Sequence, residues 1–268
     1  MTDRFDDSLV GSRSPHVFIV GYACHTHSAK AVSLIDFDKE WSTLMATRPE
    51  ELEDPTAVED FYLKTFEFPA GFMTEYAPSL LTAEPAHQDL ASGFPIGKRF
   101  KSAKVVRVCD ANPLHLGHQA RADGRWRIYV FADRAAAGDQ SPVAEFAEWL
   151  AGSPESPVAR AGALTGEIDG WFDVKVVYQQ RYDDVDLRTV PEIFLPKGGP
   201  FGLVDYEKVF AAGPAPDGSE EDIFAIRGLD RGGVVVVVRP DQYVANVLPL
   251  GATSELTAFF DPLMSAGR

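Results

Sequence analysis

Cysteine is scarce in this chain: Cys24 and Cys109 stand far apart, and neither belongs to a C-x-x-C pair. A disulfide framework and a thiolate zinc site are therefore excluded, and any metal site would have to rest on histidines. Positive charge is also short, with 25 Lys and Arg against 40 Asp and Glu, a formal net charge of −15. A nucleic-acid surface needs a basic stripe, and an anionic membrane repels such a chain, so neither partner is expected. No apolar run approaches the roughly 20 residues that cross a bilayer. Met1 to Arg13 is polar and acidic, without the apolar centre of a signal peptide. The expected location is the cytoplasm. There is no internal repeat and no low-complexity tract. With 45% hydrophobic residues, the 268-residue chain can bury one large core or two smaller ones.

Along the chain, Val17 to Val20 reads as a buried strand running into a tight turn at Gly21. A helical start spans Leu34 to Met45. The stretch punctuated by Gly71, Pro78, Pro85, Gly93, Pro95 and Gly97 predicts an irregular arm. From about Val105 the pattern becomes regular. Trp126, Ile128 and Val130 alternate with Arg127 and Tyr129 at the period of a strand. Ser141-Pro142 opens a helix, because serine caps free amides and proline is tolerated in the first turn. Val143, Phe146, Ala147 and Leu150 then fall on one helical face. Phe172 to Tyr178 is a second strand. Val234 to Val238, a turn at Arg239-Pro240-Asp241-Gln242, and Tyr243 to Leu248 predict a hairpin whose valine strand is buried on both faces. Leu256, Phe259, Phe260 and Leu263 mark a closing helix that Pro262 should bend or end early. This order of strand, helix, strand, hairpin and helix predicts an α/β fold of the thioredoxin-like type.

The run Val20-Gly21-Tyr22-Ala23-Cys24-His25 resembles the G-D-A-x-H motif of class A flavoprotein monooxygenases. Gly71-Phe72-Met73-Thr74-Glu75-Tyr76, Gly93-Phe94-Pro95-Ile96-Gly97-Lys98-Arg99-Phe100, Val190-Pro191-Glu192-Ile193-Phe194 and Val238-Arg239-Pro240-Asp241-Gln242-Tyr243-Val244 resemble the phenol 2-monooxygenase and 3-hydroxybenzoate 4-monooxygenase branch. The resemblance implies a thioredoxin-like carboxyl-terminal domain over residues 105–268, with a dimerisation role. An incomplete remnant of the FAD and substrate domains would precede it. Residues 1–31 would be the flavin-domain strand and loop, and residues 32–104 the substrate-domain helix and arm. Gly21, Ala23 and His25 would be the trace of the FAD site.

Two departures bear on function. Tyr22 stands where the family carries the ribityl-binding aspartate, and no G-x-G-x-x-G is present to hold the pyrophosphate at a helix start. The segment that faces the flavin ring appears as a deletion after Ala31. The expectation is that the chain alone binds no FAD and performs no NAD(P)H-dependent hydroxylation. His25-x-His27 reads as an inherited loop rather than half a metal site, and His115 and His118 as hydrogen-bonding residues beside a turn. Cys109 reads as an inert thiol with no basic neighbour, and Ala132 to Gln140 lacks the dithiol that redox exchange requires. Tyr62, Phe66, Phe68, Phe72 and Tyr76 form an aromatic arm, either lining a phenol-sized pocket or packing on the carboxyl-terminal domain. Three readings follow: a relic without its own chemistry, an interaction module pairing with itself or an intact monooxygenase, and a split monooxygenase using a flavin domain from another chain. Residues 105–268 are expected to fold alone.

Overall fold

A computed structural model describes Phe72 and residues 74–265. The expectations for the Val17–Val20 strand and the Leu34–Met45 helix lie outside the described residues. The described part is a thioredoxin-like α/β unit built on a seven-stranded mixed sheet, in the order β2-β1-β7-β4-β3-β8-β9. Its strands are β1 (Lys104–Arg107), β2 (Asn112–His115), β3 (Trp126–Phe131), β4 (Phe172–Tyr178), β7 (Val209–Ala211), β8 (Val234–Val238) and β9 (Val244–Pro249). A separate two-stranded hairpin holds β5 (Lys197–Gly198) and β6 (Leu203–Val204). The helices are α1 (Pro142–Gly152), α2 (Pro157–Thr165), α3 (Ile223–Ile226) and α4 (Thr253–Ser265).

The fold follows from two linked halves. β3 pairs parallel with β4, and α1 and α2 lie between them in sequence, because parallel neighbours need a long crossover. β3 pairs on its other side with β8, which returns antiparallel as β9 before α4 closes the chain. The Ser141 side chain accepts from the Ala144 amide and starts α1, whose buried residues are the expected Val143, Phe146, Ala147 and Leu150. Ser156-Pro157 opens α2 by the same device, and Gly166 ends it in the left-handed conformation that glycine adopts without strain. All five valines of β8 are buried, as a strand covered on both faces requires.

One face of the sheet is closed by helices. Phe260 of α4 meets Trp126 edge-on at 5.2 Å between ring centroids and Phe172 at 4.8 Å. α4 does not end at Pro262 but continues through it to Ser265. Proline sits in the last turn on the exposed side, so it removes little of the hydrogen-bond ladder, and Ser265 Oγ donates to the Asp261 carbonyl to close the end.

The opposite face is covered by the arm. Phe94 stacks on Phe100 at 4.5 Å, and Phe100 lies parallel to the Tyr129 ring at 4.6 Å. Phe94 is fully buried and shares one core with Phe131, Phe210, Val234, Val236 and Val247. Backbone bonds tie the arm to β9: Gly97 N donates to Val244 O, Val244 N to Lys98 O, and Ala83 N to Ala245 O, each at 2.8 Å. Two glycines make this route possible. A Cβ on Gly93 would stand 2.6 Å from the Arg227 backbone, and Gly97 has φ +85° against the Tyr76 carbonyl. The compact unit that holds the sheet begins at Phe72.

Candidate functional site

In a thioredoxin-like fold the reactive groups lie in the loop between the first central strand and its helix, here residues 132–141 between β3 and α1. That loop borders a shallow cleft of about 660 Å³ lined by Asp133, Arg134, Pro142, Leu229, Asp230, Arg231 and Gly232. No cysteine enters it. Asp133 is buried, and its carboxylate accepts from Ala135 N at 2.9 Å and from Val143 N, in the first turn of α1, at 3.0 Å. An acid at a helix start is stabilised by the free amides and the dipole, which would otherwise favour a thiolate or a bound anion. Arg231 is engaged with Asp222, donates to Gln179 Oε1, and lies over the Phe224 ring at 4.9 Å. Asp230 accepts from Gly232 N at 2.6 Å. Asp133, Asp230 and Arg231 are thus engaged within the protein, while Arg134 at the cleft is exposed. Asp133 and Ser141 occupy the Val143 and Ala144 amides at the start of α1.

At the other end of β3 and β4 lies a group that sequence reasoning missed. Arg127 and Asp173 are register partners, Tyr129 opposes Lys175, and all four side chains project to the arm-covered face. Arg127 is fully buried, and Asp173, Lys175 and Lys208 are almost so. Asp173 is the hub. Lys175 pairs with one of its oxygens, Lys208 Nζ lies 3.1 Å from the other, and Arg127 Nε stands 3.8 Å away. Asp169 and Asp123 extend the network, with Lys208 and Arg125 at 3.1 and 3.2 Å from Asp169 and Arg127 at 2.7 Å from Asp123. Burial alone would raise the Asp173 carboxyl, but the Lys175 and Lys208 charges outweigh it and hold it well below the usual carboxylate range. Burial pushes Lys175 down to about 8 against the pull of Asp173. The signal was present in the sequence: Arg127, Asp173 and Lys175 recur at strand period inside otherwise apolar runs, and opposite signs two residues apart share one face.

The other sequence candidates separate. Gly21, Tyr22, Ala23, Cys24, His25 and His27 lie outside the described residues. His115 and His118 are exposed, with rings 5.3 Å apart, and among the described residues no cluster of His, Cys, Asp or Glu could hold a metal. Cys109 does have a basic neighbour, contrary to the sequence reading: Arg107 lies close enough to act on it. Partial burial and the Asp110 carboxylate nevertheless push the thiol up, and Arg107 is itself held by Asp110 at 2.5 Å and Glu207 at 3.2 Å. Of the aromatic arm, Tyr62, Phe66 and Phe68 lie outside the described residues; Tyr76 packs edge-on against Tyr243 at 4.6 Å with Arg239 over its ring at 4.3 Å.

With this geometry in view, comparison with known proteins is informative. The family model described as "Phenol hydroxylase, C-terminal dimerisation domain" matches residues 74–268. The chain belongs to that family. The chain is also 40% identical to a 3-hydroxybenzoate 4-monooxygenase of Comamonas testosteroni, in a match covering 94% of this chain and 47% of that protein. A 26% match to an FAD-dependent monooxygenase of Aspergillus terreus covers 94% and 49%. The chain thus spans about half the length of the curated relatives it matches. Among solved structures, a putative protein disulfide isomerase from Bacteroides thetaiotaomicron aligns at 11% identity with TM-score 0.39, over 64% of this chain and 89% of that one.

The resemblance to aromatic hydroxylases is therefore borne out, and the structure explains as architecture those of its motifs that lie among the described residues. The Gly93–Phe100 run supplies the turns and stacked rings of the arm. In Val238–Val244, Arg239 pairs with Asp241 at the β8–β9 turn, and Gln242 takes φ +70° there. Ile193 and Phe194 are buried.

Proposed function

We propose that the unit beginning at Phe72 is the self-association module of an FAD-dependent aromatic hydroxylase, and that this 268-residue chain alone neither retains FAD nor hydroxylates a phenol. The observation that carries the reading is Asp133. The position where this fold would place reactive groups holds a carboxylate whose two oxygens are spent on backbone amides of the same chain. The domain therefore contributes shape rather than chemistry. The dimerisation family and the monooxygenase relatives support the assignment, and so do Tyr22 in place of the ribityl aspartate and the missing G-x-G-x-x-G. On this reading residues 1–31 descend from the flavin domain, with Gly21, Ala23 and His25 as the trace of its site. Residues 32–104 descend from the substrate domain. Flavin and aromatic substrate would belong to an intact hydroxylase, as a longer chain or as a partner.

The purified chain, mixed with excess FAD and passed through gel filtration, is expected to emerge colourless and to associate with itself. It should consume no NADPH with phenol or 3-hydroxybenzoate present. Tyr22→Asp should not restore flavin, since one hydrogen bond to a charged group is worth only about 1.5–3 kcal/mol. Stoichiometric flavin absorbance in the protein peak would overturn the claim about FAD, and a strict monomer would overturn the claim about assembly.

A further inference from the structure

A self-associating domain needs a surface, and the sheet edges do not offer one. β2, at one edge, is four residues long with Pro113 inside it, which removes a backbone donor and blunts strand addition. β9, at the other, is already bonded at its start by the arm, with Gly97 and Lys98 on Val244 and Ala83 on Ala245. A contact between copies must then be made by side chains.

The β5–β6 hairpin provides them. Phe201 is 84% exposed, Leu203 70% and Tyr206 47%, within six residues of one another in sequence. Large apolar groups in water are costly, and a clustered set of them marks an interaction surface. The turn is built to present them: Gly199 and Gly202 take positive φ, and a Cβ on Gly198, Gly199 or Gly202 would meet no atom of the described residues within 4 Å. Charge favours the same place. In a chain of net charge −15, copies repel one another, yet Ile193 to Val204, which holds Phe201 and Leu203, carries one charged residue, Lys197, and no acid. The nearest acids are Glu192 before it and Asp205 and Glu207 on either side of Tyr206.

We infer that two copies of this chain meet hairpin to hairpin, with Phe201, Leu203 and Tyr206 of each packed against the other. The inference rests on the self-association proposed above and names its surface. A shared patch on both copies is what a twofold dimer requires. The three side chains expose on the order of 400 Å², about half of the ~800 Å² each partner gives to a standard interface. The hairpin is accordingly the apolar centre of the contact, with polar neighbours at its rim.

Sedimentation velocity over a concentration series tests it on the full 268-residue chain. The double variant Phe201→Ser, Leu203→Ser is expected to weaken the dimer at least about 30-fold, the loss typical of centrally placed anchors. Its circular dichroism should be unchanged, because both side chains are exposed. Leu164→Ser on α2, equally exposed but elsewhere, should leave the dimer intact. In a Cys24→Ser, Cys109→Ser background, Phe201→Cys is expected to give a covalent dimer under mild oxidation. A wild-type dimer that survives the double change, or a Phe201→Cys chain that stays uncrosslinked, overturns the hairpin assignment and leaves self-association standing. A wild-type chain that is monomeric at every concentration overturns both.

Discussion

The two faces of the central sheet are covered in different ways. On the helix side, Trp126, Phe172 and Phe260 pack as an aromatic core beneath α1, α2 and α4. On the arm side, Phe94 and Phe100 cover Tyr129 and Phe131, and beside them lie Arg127, Asp173, Lys175 and Lys208, buried and mutually paired. The first face is made by elements with their own periodicity and caps. The second is made by a chain segment with little regular structure, held by backbone bonds to β9, and by charges that are tolerable only together. The difference shows that irregular backbone can be core, provided its polar groups are satisfied and its rings reach the sheet.

The comparison can be broken most severely at Asp173. Asp173→Ala leaves Arg127, Lys175 and Lys208 buried without their shared acceptor, and removing one partner of a buried ionic group costs about 3–5 kcal/mol. Chemical denaturation of the variant should show that loss, and a change below about 1 kcal/mol would mean the cluster is solvated. The same cluster sets a pH dependence. Because the folded state depresses the Asp173 carboxyl, its contribution is complete above the ordinary value near 3.9 and is lost as pH falls below it. Lys175 is depressed to about 8 from 10.5, so between those values the unfolded chain binds more protons and stability gains as pH rises. Urea midpoints measured from pH 3 to 10.5 should show both slopes, and Lys175→Met should remove the alkaline one.

The faces should be nearly equal when a ring is deleted from each. Phe100→Ala and Phe260→Ala are each expected to cost about 3–5 kcal/mol, the range for a buried phenylalanine. If Phe100→Ala costs under 1 kcal/mol while Phe260→Ala falls in range, the arm is an accessory and the helix face alone is the core. A smaller effect belongs to the helix side: Ser141→Ala should cost about 1 kcal/mol through the lost α1 cap. Ser141→Asp, which restores an acceptor, should recover most of it.

These contrasts also explain what could be read from the sequence. The valine hairpin, the Phe172–Tyr178 strand and the capped α1 were legible because each is decided by neighbours within a few residues. α2 carried the same Ser-Pro opening and a terminal Gly166, yet its short apolar stripe escaped notice. β7 has three residues, too few to show a period. The arm read correctly as irregular, but its place in the core depends on Gly93, Phe94 and Phe100 meeting residues more than a hundred positions away. Arg127, Asp173 and Lys175 stand at strand period in the sequence, but nothing local reveals that Lys208, more than thirty residues on, converges on Asp173. For the candidate site, the missing dithiol was visible at once. The use of Asp133 to cap α1 became visible only when the loop and helix were brought together.

The central claim is that arm and sheet form one cooperative unit beginning at Phe72. Native-state hydrogen exchange at single amides tests it most directly, since Gly97 and Phe100 donate from the arm to the Val244 and Gln242 carbonyls. The expected result is that both amides exchange with the same protection as Val236 in the centre of β8, through global unfolding. Fast exchange of Gly97 and Phe100, while β8 remains protected, would contradict the account.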